Sequence, residues 1–112
     1  MTEILWPFGA GDSQALTATG TQAITITDNF TVIDGVTTQA TGNRTINLTI
    51  GSSVKPGARL LVKLKSAATQ TTTFGTGITD VVLTGVTGKT FTGGYTYDGT
   101  AFYPDGTIQQ ID

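Results

Sequence analysis

Thr45-Ile46-Asn47-Leu48-Thr49-Ile50 and Ala23-Ile24-Thr25-Ile26-Thr27 alternate polar and apolar residues with a period of two. An extended strand turns successive side chains to opposite faces, so these segments read as strands with one buried and one wet face. Threonine is the commonest residue of this 112-residue chain and takes most of the wet positions. Its branched Cβ favours extended backbone while its hydroxyl stays solvated. No segment sustains a helical period over three turns. The chain is expected to be all-β, with uncharged, hydroxyl-rich outer faces better suited to packing against protein than to turning over a substrate.

Composition narrows the function. The absence of cysteine removes disulfides and thiolate metal sites. The absence of histidine removes the usual general base, zinc ligand and pH switch. No catalytic residue, metal ligand or cofactor is expected, and the chain does not read as an enzyme. A net charge of −2 argues against nucleic acid as a partner. No apolar run is long enough to span a membrane, and Met1-Thr2-Glu3-Ile4-Leu5-Trp6-Pro7 lacks the regions of a secretory signal. Charged residues make up 12% of the chain, about half the usual share for a soluble domain. So little charge points to a partner surface or a symmetric oligomer.

Residues 1–14 are expected to form an extended N-terminal arm. Ile4-Leu5-Trp6-Pro7-Phe8 is the densest apolar cluster, but Pro7 and Gly9-Ala10-Gly11-Asp12-Ser13 forbid a long regular element. Trp6 and Phe8 either plug the domain's own core or anchor the arm in a neighbour. Residues 15–112 then form one small β-sandwich, jelly-roll-like, with strands near 15–19, 22–27, 30–33, 44–50, 59–65, 70–74, 80–84, 89–92, 94–97 and 100–103. Asp34-Gly35 is among the pairs read as turns between them. Leu60, Val62 and Leu64 should face the core, with Arg59, Leu61, Lys63 and Lys65 opposite. Asp98-Gly99 predicts a tight hairpin with Tyr97 opposite Thr100 and Tyr95 opposite Phe102, so that Tyr95, Tyr97 and Phe102 share a face.

Asp28, Asp34, Asp98 and Asp105 read as turn formers, since no calcium-loop spacing surrounds them. Gly75-Thr76-Gly77 and Gly93-Gly94 are not phosphate loops, because no helix and no Gly-Lys-Ser/Thr follows. Arg59, Lys63 and Lys65 form the one basic concentration, either a solvated strand face or a patch docking onto an acidic protein. Tyr95, Tyr97 and Tyr103 offer an alternative glycan platform.

Thr45-Ile46-Asn47-Leu48, Lys55-Pro56-Gly57-Ala58, Phe74-Gly75-Thr76-Gly77 and Gly94-Tyr95-Thr96-Tyr97-Asp98-Gly99-Thr100-Ala101-Phe102-Tyr103 occur in that order. Over about residues 20–105 this series resembles the β-modules of tail-fibre, head-fibre and capsid-decoration proteins of tailed bacteriophages. The resemblance implies a homotrimeric structural protein of the virion, on the capsid surface, with the major capsid protein or another virion protein as partner. A chain complete at one module, without a shaft, favours a decoration (cement) protein. Ile4, Leu5, Trp6 and Phe8 would be its anchoring arm, and Arg59, Lys63 and Lys65 its polar docking residues. The alternative is a carbohydrate-binding or host-adhesion module of a fibre or spike.

Overall fold

The computed structural model describes residues 12–112, all-β and without helix. The strands are β1 Asp12–Ala15, β2 Gly20–Ile26, β3 Phe30–Ala40, β4 Arg44–Ile50, β5 Arg59–Ser66, β6 Thr71–Phe74, β7 Leu83–Thr84, β8 Thr90–Tyr97, β9 Phe102–Pro104 and β10 Gln109–Gln110. They build two sheets. The front sheet has the order β1-β3-β5-β8-β10, with β9 also paired to β8; the back sheet has the order β2-β4-β6-β7.

The first six strands alternate between the sheets, and neighbours within each sheet run parallel. The chain therefore winds, front then back, laying each turn beside the last. From β7 onward the pairing is antiparallel, and β8, β9 and β10 finish the front sheet. The expected two-layer sandwich is present, reached by winding rather than by the hairpins of a jelly roll. A period of two reports which face is buried but not the direction of the neighbouring strand.

Asparagine side chains tie successive turns together. The Oδ1 atoms of Asn29, Asn43 and Asn47 accept the backbone N–H groups of Lys55, Thr71 and Thr76 at 2.9, 3.0 and 2.9 Å, spanning 26, 28 and 29 residues. Each satisfies a backbone donor in a loop (Lys55, Thr76) or at the first residue of a strand (Thr71). Between the sheets lies the core, built from the inward set of each strand: Ile24 and Ile26, Ile46 and Leu48, Leu60, Val62 and Leu64, with Phe74, Ile78, Tyr95 and Phe102.

Local boundaries differ from expectation for identifiable reasons. Residues 12–14, assigned to the arm, belong to β1, which pairs with Thr31 to Asp34. Asp34-Gly35 makes no turn between strands, because β3 continues to Ala40 through a shift of register. A Cβ at Gly35 would lie 2.9 Å from Leu64 Cδ2, 2.9 Å from the Lys63 carbonyl and 3.0 Å from Leu16 Cδ1. The glycine is there for close approach. Gly93-Gly94 likewise does not interrupt β8. In the hairpin, Tyr97 pairs with Phe102 and Thr96 with Tyr103, two residues from the predicted register. The Asp98 carboxylate accepts the N–H groups of Thr100 and Ala101, which stabilises a longer loop. The shift is even, so Tyr95, Tyr97 and Phe102 still share a face.

Candidate functional site

The outer face of the front sheet is a grid whose rows cross β3, β5 and β8. One row reads Phe30, Arg59, Thr96; the next Val32, Leu61, Gly94; the third Asp34, Lys63, Thr92. β9 extends the first row with Tyr103, and β10 extends the third with Gln109. Arg59, Lys63 and Lys65 thus share one face as expected, but acids are interspersed among them. Arg59 Nη2 lies 2.6 Å from Asp105 Oδ2. Lys63 is the cross-strand partner of Asp34, and Lys89 and then Lys65 exert a weaker attraction on Asp112. The stripe is charge-balanced, so it has little net field to steer an acidic partner.

The acids are held in place. The Asp34 carboxylate accepts the Thr37 hydroxyl at 2.6 Å and the N–H groups of Val36 and Thr37 at 2.9 and 3.1 Å. The Thr37 hydroxyl, then those N–H groups, stabilises the anion and lowers its pKa. Asp105 accepts the Thr96 hydroxyl on Oδ1 at 2.6 Å while its other oxygen holds Arg59.

Gly94 leaves the middle row without a side chain between Thr92 and Thr96. The result is an open groove of about 300 Å³, lined by Leu61, Thr92, Gly93, Gly94, Asp105, Gly106, Thr107 and Gln109. Its floor is Leu61 and the β8 backbone, with Asp105 Oδ2 and Arg59 Nη2 close over Gly94, 3.2 and 3.4 Å from where a Cβ would stand. One wall is the loop between β9 and β10, fastened by the Asp105 N–H to the Gly94 carbonyl at 2.9 Å. Ile108, from the same loop, turns inward over Gly93 and into the core. This wall is therefore tied both to the sheet and to the interior.

The three tyrosines do not form the platform expected of them. Tyr95 is only 1% exposed, and its hydroxyl donates to Asp80 Oδ2 at 2.6 Å. Burial, and then the Asp80 carboxylate, pushes its pKa up. Tyr97 is half-buried on the same inward face, its ring 5.2 Å from that of Phe102 and its hydroxyl bonded to the Gly99 carbonyl. Tyr103 alone is exposed, on the opposite face. Strand parity separates the residues that proximity in sequence had grouped. Ile4, Leu5, Trp6 and Phe8 lie outside the described residues.

The back sheet presents a different face. Thr21, Thr45 and Thr73 form one row, Ala23 and Asn47 the next, and Thr25 and Thr49 a third. None of its four strands contributes a charge to this surface. Its one charged residue, Arg44, points into the core. Nη1 donates to the carbonyls of Thr17 and Thr38 at 3.3 and 3.2 Å, and Nη2 to those of Gly35 and Lys65 at 3.4 and 3.3 Å. Burial lowers the guanidinium pKa. Sequence reasoning passed over Arg44 and weighed Gly94 only as part of a phosphate loop, though parity marks both: Arg44 shares the inward set with Ile46 and Leu48, and Gly94 the outward set with Thr92 and Thr96.

Among the described residues no group of acidic side chains is arranged to hold a metal ion, and no helix is long and apolar enough to cross a membrane. Comparison of the chain with protein-family models, curated proteins and solved structures finds no match.

Proposed function

We propose that this chain is a non-enzymatic structural protein of a phage virion, a capsid decoration protein that binds the assembled capsid surface as a homotrimer. The observation that supports this best is the uncharged back face. A sheet face of threonine, alanine and asparagine can be covered by protein without stranding a charge, whereas a face meant for water normally carries mixed charges. Val81, Val82 and Val86, all exposed, flank β7 at the edge of the same sheet and add apolar area.

In this reading the back face makes the contact between copies, and Ile4, Leu5, Trp6 and Phe8 anchor the trimer in the capsid. Arg59, Lys63 and Lys65, balanced by their acids, make a minor contribution. A protein that binds only the assembled shell stabilises it by mass action, multiplied over symmetry-related sites. The test is the light-scattering mass of the full chain and of a Thr25→Lys/Thr49→Lys variant. A trimer that becomes a folded monomer in the variant supports the reading; a monomeric wild type overturns it. Removing residues 1–10 should leave the trimer intact and abolish co-sedimentation with capsid shells.

A further inference from the structure

We propose that the open edge of β2 pairs antiparallel with the same edge of a second copy, joining two back sheets across a two-fold axis. The Gly20 N–H donates to the Asn43 carbonyl at 3.0 Å, and the Gly51 N–H to the Ile26 carbonyl at 2.8 Å. Backbone groups alternate sides along a strand, so Gly20, Gln22, Ile24 and Ile26 bond to β4. The N–H and carbonyl groups of Thr21, Ala23 and Thr25 therefore point away from β4, and among the described residues nothing pairs with them. The other edges are short or blocked. β1 has four residues and carries Asp12, β7 and β10 have two residues each, and β9 ends in Pro104. β2 has seven residues, Gly20-Thr21-Gln22-Ala23-Ile24-Thr25-Ile26, with no charge, no proline and no bulge. Nothing in it turns a further strand away.

The order of residues along this edge selects a second copy as that strand. The edge-facing residues read threonine, alanine, threonine, the same in both directions about Ala23. Antiparallel pairing about a two-fold at Ala23 sets Ala23 opposite itself and Thr21 opposite Thr25, each pair exchanging both N–H···O bonds. The small residue falls at the axis, where identical side chains must meet, and threonine pairs flank it. No like charges meet across the seam. All three side chains are exposed on the outer face, so no buried side chain has to move. The uncharged back face then runs unbroken from one copy into the next. This contact uses the strand edge, whereas the trimer proposed above uses the face, so either can exist without the other.

The chain has no cysteine, so a single introduced thiol reports the seam. In the full chain, Ala23→Cys should form a covalent dimer under mild oxidation. Hydrogen-bonded antiparallel partners stand about 5.5 Å apart at Cα, within reach of a disulfide. Thr21→Cys and Thr25→Cys should each stay single and cross-link only when mixed, which random encounters of exposed thiols do not reproduce. Adding Ala23→Lys to both partners should lower that mixed cross-link about tenfold or more, with two ammonium groups at the axis. No cross-link in either experiment overturns the proposal. A cross-link that appears only after residues 1–10 are removed also overturns it and assigns the edge to the chain's own N-terminus. A covalent dimer from a chain that light scattering finds no larger than a dimer upholds this proposal and overturns the trimer; a trimer without the cross-link does the reverse.

Discussion

The two outer faces of this small sandwich are made from the same strand chemistry and differ in what they do with charge. The front face carries Asp34, Arg59, Lys63 and Lys65, with Arg59 paired to Asp105 and Lys63 opposite Asp34. The back face carries threonine, alanine and asparagine in register, and its only charge is turned inward. A charged fraction of 12% is therefore not thin everywhere; it is concentrated on one side. Overall composition suggested a partner surface, but only the pairing of strands places the uncharged ground. The front face sets its charges among opposite charges, and the back face presents none.

The sharpest way to break this contrast is to remove the inward charge of the back sheet. Arg44 springs from β4 and binds carbonyls on β3 and β5 of the front sheet, as well as that of Thr17. Arg44→Met would leave those carbonyls without a donor in a buried place, for a loss of about 3 kcal/mol or more. Arg44→Lys should recover only part, since an ammonium cannot reproduce the planar fork. Urea unfolding of both variants checks this. A methionine variant as stable as wild type would mean that desolvating the guanidinium costs as much as its hydrogen bonds return.

Much of this was legible in the sequence. Alternation placed β2, β4 and β5 within a residue or two and assigned Leu60, Val62 and Leu64 to the core, because burial of one face imposes that period directly. The winding was not legible, because Asp28-Asn29 or Gly51-Ser52 looks the same whether the chain returns beside its own strand or crosses to the other sheet. Glycine was ambiguous for a related reason. Gly99 serves the loop it was expected to serve, with φ at 103°, whereas Gly35 and Gly94 sit inside strands where a neighbour or a groove needs the space. The groove was missed because its residues come from β5, β8 and the C-terminal loop, joined only through registry.

Gly35 gives the next largest effect. Its missing Cβ is what lets Leu64, Leu16 and the Lys63 carbonyl close over β3, just where that strand changes register. Gly35→Ala should destabilise by about 1–3 kcal/mol through overpacking. Gly57→Ala is the useful control. Nothing lies within 4 Å of its added Cβ, so its cost comes from backbone at φ 95° alone. A Gly35 variant no worse than this control would show that β3 can relax around a methyl group.

Acid should act on the front face first, because the back face has no side chain to titrate. Asp34 has its pKa lowered below 3.8 in the folded protein by the Thr37 hydroxyl and the N–H groups of Val36 and Thr37. A depressed folded value contributes stability that is present above the unfolded pKa and is lost as pH falls through the folded one. Wild type should therefore exceed Asp34→Asn in urea midpoint at pH 6, and the gap should close below about pH 4. A gap that stays constant with pH would assign the effect to Asn geometry rather than to the charge.

The smallest effect tests whether the front-face charges stabilise the fold or only dress it. Arg59 and Asp105 meet at 2.6 Å, but their side chains remain 47% and 37% exposed. A pair that open to water contributes no more than about 1 kcal/mol. Arg59→Ala should thus lower stability by less than that, and the loss should shrink in high salt as screening replaces the partner. Asp105 also accepts the Thr96 hydroxyl, and its own N–H reaches the Gly94 carbonyl, so Asp105→Ala removes a second bond that salt cannot mimic. The wall of the groove should therefore loosen more in Asp105→Ala than in Arg59→Ala, read as faster amide exchange at Asp105 and Gly106. Equal exchange in the two variants would mean that the ion pair alone holds the wall. The front face would then depend on charge as fully as the back face dispenses with it.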